Sequence, residues 1–586
     1  MKKTITVILA LAMALSLAAC SADQESGGPA TGTPTIRPDA AVTDKIPENS
    51  AAATEAVKET PPAVETAPPE VDVEYVDPAA EEFKYSYDKY IDGVIITGYT
   101  GGATAIRIPA QLDEYTVKQV SLKSNKKIKY VELPDGITAI QNNAFYDCVN
   151  LVGINIPESV EKIGDYAFEN CQKMTAIEIP DSVVSIGKNA FSKCLTLKSI
   201  TLSNSITAIS GGMFNSCHQL AGVTIPDGVT SIGVSAFEDC TGLVSITIPD
   251  SVKSIGISAF ESCKSLTGIV IPDGVTQIGA KTFYYCAALT SVSIPDTVTS
   301  IGSEAFGNCT SLPGITIPDS VTAIGSRAFY GCSKLTGITI PNSVKTIGKE
   351  AFMLCSSLKS IALSSGLTSI SEGLFSKSGL TGITIPDGVT SIGSNAFSVC
   401  NGLTSMTIPD GVKTIGKEAF AHCAELTSIT IPDSVTKIES GAFSECGKLT
   451  GITIPNGIKT LYSSTFYMCG SLTDITIPDS VTLIDSTAFK GCSSLKSITI
   501  PGSVTEIGGG AFQGCSSLTS VNILDGVKKI KYDAFRECSS LKSMTIPDSV
   551  TEIGSELFRD CDGLTVTYKG ETYSKDNDPK LWWGYQ

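Results

Sequence analysis

Histidine is almost missing from this chain. His218 and His422 are the only two among 586 residues, and no Cys-x-x-Cys pair occurs anywhere. Zinc sites need cysteine and histidine clustered at short spacings, so no metal site and no cofactor are expected. The same scarcity removes the commonest general base. No nucleophile–base pair, phosphate-cradling loop or pair of catalytic carboxylates stands out from the rest of the sequence, so no catalytic residue is assigned. Basic residues are also in deficit, 43 against 60 acidic ones. An acidic chain without a basic patch argues against nucleic acid and against anionic membrane surfaces as partners. The apolar run Ile5 to Leu17 is too short and too early for a stable membrane span.

That run follows Lys2 and Lys3 and ends in Leu17-Ala18-Ala19-Cys20. A short positive stretch, an apolar stretch and small residues in this order form an export signal. The ending resembles the bacterial lipobox, and the resemblance implies that Cys20 is acylated and becomes the mature N-terminus. The alternative is an ordinary signal peptide with a coincidental cysteine. Acyl chains contribute about 0.8 kcal/mol per buried CH₂, so lipidation at Cys20 would hold the protein at a membrane without help from the remainder. Residues 1–20 are therefore the signal and 21–82 a tether. The tether is rich in Pro, Ala, Thr and Glu, and it has too few large apolar residues to offset its ordering entropy. A disordered stalk of this length spans roughly 50 Å on average.

What fills the remainder is repetition. From Phe145 a phenylalanine recurs every 23 residues to Phe375, steps by 22 to Phe397, and resumes at 23 to Phe558. Of the 20 phenylalanines only Phe83 lies outside this series. One copy begins Leu335-Thr336-Gly337-Ile338-Thr339-Ile340-Pro341. Alternation puts Ile338 and Ile340 on one face of a strand, and Pro341 ends it because proline cannot donate to a ladder. Asn342-Ser343 supplies a turn, while Val344 and Ile347 return to the core. Lys349 to Cys355 has length only for a helical or 3-10 turn on the convex side. No rung buries its apolar edge alone, so the rungs must stack into one continuous core.

The unit Ile-x-Ile-Pro-Asp-[Ser/Gly]-Val-x-x-Ile-Gly-x-x-Ala-Phe-x-x-Cys resembles the BspA-type (treponemal-type) leucine-rich repeat of bacterial surface antigens. The resemblance covers residues 129–566, about nineteen repeats. It implies a solenoid with a parallel β-sheet on the concave face. Residues 83–128 form a degenerate N-terminal cap, with Ile106-Arg107-Ile108-Pro109 echoing a strand end. Residues 567–586 form a C-terminal cap that closes with Trp582-Trp583. Members of this family are exported proteins that bind host matrix proteins or other bacteria.

Apart from Cys20, every cysteine lies three residues after a repeat phenylalanine. The ladder runs through Cys148, Cys171, Cys194, Cys217, Cys240, Cys263, Cys286, Cys309, Cys332 and Cys355 and on to Cys561, with Ser378 the one replacement. Export favours oxidation. Parallel Cβ vectors in one column oppose the dihedral near 90° of a disulfide, so buried thiols are the favoured reading. An aspartate column, including Asp181, Asp319 and Asp433, reads as turn capping. Calcium needs six to eight oxygens, and one carboxylate per rung supplies too few. The outward strand positions, such as Ser245 with Thr247 and Ser497 with Thr499, make a hydroxylated face without aromatic anchors. It is a poor surface for tight protein binding. An ordered-water role for the threonines is the alternative to simple strand preference.

The positions just after the phenylalanines differ. Tyr284, Tyr285, Tyr330, Met353 and Leu354 cluster over consecutive rungs as a candidate binding patch, and Tyr462, Tyr467 and Met468 form a smaller one. Scattered surface tyrosine is the alternative. The missing residue between Phe375 and Leu380 either creates a recognition notch or is a tolerated deletion. Together these features describe a non-enzymatic, monomeric lipoprotein displayed at the cell surface as a binding scaffold or adhesin. Its partners would be host matrix proteins or other cell surfaces, with membrane contact through the lipid anchor only. A passive surface protein without a ligand is the alternative, and an enzyme borne on the caps a remoter one.

Overall fold

The computed structural model describes residues 73–576. The signal, Cys20, most of the tether, and Trp582 and Trp583 lie outside them. The cap opens with a four-stranded sheet in the order β1-β2-β5-β4. β1 (Phe83–Asp88) pairs antiparallel with β2 (Gly93–Tyr99), β2 pairs parallel with β5 (Tyr115–Val120), and β4 (Gln111–Leu112) is antiparallel to β5. β3 (Ala105–Arg107) instead starts the solenoid by pairing in parallel with Tyr130–Glu132. Order begins earlier than residue 83. Val76 bridges to Ile106 through Val76 N–H to Ala105 O (3.1 Å) and Arg107 N–H to Val76 O (2.9 Å). The last stretch assigned to the tether therefore belongs to the cap, because Val76 has an unpaired strand edge to add to.

Each rung then contributes to three columns. The Leu-x-x-Ile-x-Ile segments form a parallel strand column, as in Gly337–Thr339 against Ser360–Ala362. A second column, not anticipated as strand, holds two-residue pieces such as Ser300–Ile301 against Ala323–Ile324. The third surrounds the phenylalanines, and here the sequence expectation needs correction. The stretch read as helical or 3-10 is a chain of tight turns. Among the described residues the one helical element is the 3-10 turn Ala80–Glu82.

The cause is backbone handedness. Residues two before and two after each phenylalanine are left-handed, as at Arg327 (φ 56°) and Gly331 (φ 68°) around Phe329. A helix needs successive right-handed residues, so this alternation forbids one. It has a return in hydrogen bonding. Glu304, Phe306 and Asn308 send their N–H groups to Ser326, Ala328 and Tyr330 of the next rung at 2.9, 2.8 and 2.6 Å. The intervening amides of Ala305, Gly307 and Cys309 close turns within the rung onto Gly302, Glu304 and Phe306. In this rung every amide from Glu304 to Cys309 is thereby paired.

Inside the turns the repeat phenylalanines are fully buried and stack with ring centroids 5.2 Å (Phe397–Phe420) to 6.1 Å (Phe535–Phe558) apart. Beside them runs the cysteine column. Cys332 Sγ donates to Phe306 O of the preceding rung at 3.1 Å, and Cys355 Sγ to Phe329 O at 3.1 Å. The same relation recurs along the ladder, from Cys171 onto Phe145 to Cys561 onto Phe535. Cysteine therefore does more than fill space: its thiol is a buried donor onto a buried carbonyl. The ladder cysteines from Cys148 through Cys538 are buried and form no disulfides. Burial pushes the Cys194 and Cys332 thiols up to about 12.

The stack is not uniform. The second strand column is interrupted four times, dividing it into sheets of three, three, four, four and five strands. Each interruption falls where the alanine before the phenylalanine is replaced by something larger: Met213, Thr282, Leu374 and Thr465. At the Met213, Leu374 and Thr465 steps the rings spread to 5.9, 5.9 and 5.7 Å, while the 5.6 Å at Thr282 equals that of the unbroken Phe306–Phe329 step. A side chain larger than alanine overfills the core between turn and strand, and the rung yields on the strand side. The turn column stays closed, for Phe260 N–H still reaches Thr282 O at 2.9 Å. Leu557 in the last rung widens the rings to 6.1 Å but keeps its ladder, with Gly554 N–H on Ile530 O at 2.7 Å. The solenoid closes with a hairpin, Thr565–Tyr568 against Glu571–Ser574, turning at Lys569 and Gly570, both left-handed.

Candidate binding site

The turn column sets the geometry of the aromatic patch. The five candidate residues follow Phe283, Phe329 and Phe352, three rungs within a span of four, and each is exposed or half-buried. Tyr284 and Tyr285 pack edge-on, with ring centroids 4.6 Å apart at 80°. Lys281 Nζ lies 5.4 Å from the Tyr284 centroid. The Tyr284 ring extends over Gly307 of the next rung, where a Cβ would come within 2.8 Å of it. Burial, and then the neighbouring Tyr285, raise the Tyr284 hydroxyl above its ordinary pKa. Two rungs on, the Arg327 guanidinium lies 5.6 Å from the Tyr330 centroid and its Nε is 2.6 Å from Glu350 Oε2. Met353 and Leu354 are half-buried beyond it. The structure thus gives two halves, Tyr284–Tyr285 and Tyr330–Met353–Leu354, with the Gly307–Asn308 pair between them.

Two of these side chains carry a conformational cost as well as exposure. Tyr285 (φ 59°) and Leu354 (φ 64°) occupy the left-handed position that Asp, Asn, Gly or Ser fills in many other rungs. Bulky residues there are strained by roughly 1–3 kcal/mol. Tyr285 is also 45 % exposed. Strain combined with an exposed apolar ring marks a functional position better than exposure alone. In the second cluster Met468 repeats the pattern, at φ 57° and 45 % exposed.

Other features were not read from the sequence. A hollow of about 440 Å³ opens on the turn column beside the Thr465 interruption, lined by Glu418, His422, Gly441, Ser444, Ser464 and Tyr467. His422 Nδ1 there lies 3.1 Å from Glu445 Oε2. The cap carries its own aromatic group: Tyr87 and Tyr115 are 4.7 Å apart, and the Tyr85 hydroxyl donates to Asp113 at 2.5 Å. The run Tyr85-Ser86-Tyr87-Asp88-Lys89-Tyr90 was the available signal.

The aspartate column behaves locally. Asp181 Oδ1 accepts the Asn204 N–H of the next rung at 2.8 Å, which holds its carboxyl below the usual range. Among the described residues no group of three or more His, Cys, Asp or Glu gathers around a common point. On the strand face Thr247, Thr316, Thr430 and Thr499 are exposed and carry no aromatic neighbours in their column. No described helix is long and apolar enough to cross a membrane.

The chain matches the BspA type leucine-rich repeat region over residues 116–244, 208–292, 276–404, 390–519 and 459–575. It belongs to the BspA-type leucine-rich-repeat family. A leucine-rich-repeat protein from Bacteroides ovatus is 30 % identical, with 64 % of this chain and 94 % of that one covered and a TM-score of 0.54. A leucine-rich cell surface protein from Faecalibacterium prausnitzii is 27 % identical over 75 % of this chain and 93 % of that one, with a TM-score of 0.32. The leucine-rich-repeat protein of T. pallidum is 29 % identical over 41 % and 91 %, with a TM-score of 0.27. No curated protein matches.

Proposed function

We propose that this BspA-type protein is a binding scaffold displayed at the bacterial surface, lipid-anchored through Cys20, that engages host matrix proteins or other cell surfaces. The observation that carries the reading is the Tyr284–Tyr285 and Tyr330–Met353–Leu354 ledge. Tyr285 is exposed there, its four companions are half-buried, and Tyr285 and Leu354 are strained, on a backbone that is hydrogen-bonded rung to rung. Such a surface is ordered before a partner arrives, which reduces the entropy cost of binding. Family membership supports a protein-binding role, and the cell-surface description of the Faecalibacterium protein supports display outside the cell.

Two experiments test it. Full-length protein is screened against immobilised host matrix proteins and bacterial surfaces, and saturable binding is expected; a blank from folded protein would remove the adhesin reading. Cells expressing the chain are labelled with a fatty-acid analogue. Label should enter the wild type and be lost in Cys20→Ala, and label in both would refute the anchor.

A further inference from the structure

The rung between Phe352 and Phe397 gathers more departures from the repeat than any other. Ser364 replaces the strand-ending proline, Leu374 the alanine and Ser378 the cysteine, and one residue is missing before Leu380. The second strand column is broken just before it, and Phe352 and Phe375 stand 5.9 Å apart. The thiol ladder also lapses. Ser378 Oγ lies 3.4 Å from Cys400 Sγ, and Cys400 Sγ itself continues onto Phe375 O at 3.1 Å.

The missing residue has a geometric consequence. In the neighbouring rungs the leucine N–H closes a turn onto the cysteine carbonyl, as Leu358 does onto Cys355 and Leu403 onto Cys400 (3.0 and 3.1 Å). In the shortened rung Gly379 N–H reaches back instead to Cys355 O of the rung before, at 3.1 Å. A Cβ at Gly379 would lie 2.1 Å from Ser356 O, so only glycine permits this retraction. The result is a hollow of about 520 Å³ on the side of the solenoid.

Its lining is chemically one-sided. It includes two exposed lysines, Lys359 and Lys377, together with Ser356, Ser378, Asn401 and the glycines Gly379 and Gly402. No carboxylate lines it, in a chain of net charge −17. Neither lysine forms an ion pair among the described residues, whereas Lys349, also in this part of the stack, pairs with Glu372 at 2.7 Å. Val399 forms part of the wall at φ 60°. A β-branched residue is rarely held in that conformation.

We propose that this notch is a binding site for an oxyanion borne on a small polar group, a sulfate or carboxylate of sugar size. Two lysines line one hollow with no carboxylate beside them, and an oxyanion bound there would gain charge-assisted hydrogen bonds from both. Ser356 and Asn401 offer donors and acceptors to hydroxyls of the group that carries the charge. The site is separate from the aromatic ledge, and neither depends on the other.

The test uses full-length protein and calorimetric titration with two probes, sodium sulfate and a sulfated disaccharide. Saturable binding is expected with Kd below ~10 mM, weakening as sodium chloride is raised, since screening acts over about 8 Å at physiological salt. Lys359→Ala with Lys377→Ala should weaken it at least about tenfold, the loss of two charge-assisted bonds. A second variant inserts one glycine after Gly379 and carries Ser378→Cys, restoring the 23-residue register. It keeps both lysines, fills the notch and should also abolish binding. A disaccharide that binds better than sulfate identifies a glycan as the source, and equal affinity identifies the free anion. No binding by the wild type, or undiminished binding by the register-restored variant, would overturn the proposal.

Discussion

Replacing Thr282 with alanine should close the second strand column between the Phe260 and Phe283 rungs. Thr282 is 1 % exposed, and its hydroxyl donates to Gly279 O at 2.9 Å. At the regular step that follows, Thr299 N–H reaches Thr276 O at 2.9 Å and Gly302 N–H reaches Ile278 O at 2.8 Å. The equivalent amides of Thr276 and Gly279 make no such bond to the rung before. Alanine removes a methyl and a hydroxyl from the overfilled space. Two or three restored backbone bonds contribute about 1–4 kcal/mol, against about 2 kcal/mol for the lost hydroxyl bond and buried methyl. Global stability should therefore change by no more than about 1–2 kcal/mol. Local opening should become harder by about 1–3 kcal/mol, so amide exchange across Thr276 to Gly279 should slow roughly ten- to hundredfold. Hydrogen–deuterium exchange with peptide-level mass spectrometry reads this directly. The reverse change, Ala328→Thr, should create an interruption and speed exchange at Thr322 to Gly325. Unaltered exchange in both variants would refute the link between this column and the size of the residue before the phenylalanine.

Three further outcomes follow from the core. Phe329→Ala empties the centre of the stack and should cost about 3–5 kcal/mol, read by urea denaturation. Cys332→Ala removes a thiol 3.1 Å from Phe306 O. It should cost only about 1–2 kcal/mol, because that carbonyl keeps the Cys309 N–H at 3.2 Å; a larger loss would mean the thiol bond carries more than its geometry indicates. Alkaline pH should unfold the solenoid. Burial raises the thiols along the ladder, to about 11 at Cys148 and about 12 at Cys194 and Cys332, whereas unfolded thiols titrate near 8.5. Above pH ~8.5 the unfolded state loses protons that the folded state keeps. Each thiol then removes about 1.4 kcal/mol of stability per pH unit until its folded pKa is reached. Stability is complete below that pH and falls steeply above it, which circular dichroism at stepped pH would follow. A flat profile to pH 11 would contradict buried, protonated thiols.

Much of this fold can be read from spacing alone. The phenylalanine and cysteine columns, the strand segment and the stacked core need only the 23-residue period. The turn column could not be read in the same way. Glycine, asparagine or aspartate fills some of its left-handed positions, but Arg327, Glu350, Tyr285 and Leu354 fill others, so the residue types give no consistent handedness signal. The interruptions were equally hidden, because Ala→Thr at Thr282 looks conservative in the sequence. The early start of the cap rests on a single bridge at Val76, too little to alter a composition-based boundary. The aromatic patch was legible as a cluster of residue types. That Gly307 makes room for the Tyr284 ring, and that Tyr285 and Leu354 are strained, emerged only with coordinates.

Surface plasmon resonance of the wild type and of Tyr284→Ser/Tyr285→Ser/Tyr330→Ser over the same captured matrix ligand tests the binding role most directly. Loss of three partly exposed rings at the centre of an interface should raise Kd at least about a hundredfold, or 2.7 kcal/mol, with an unchanged melting temperature. Undiminished binding by the folded triple variant would show that the ledge is not the binding surface.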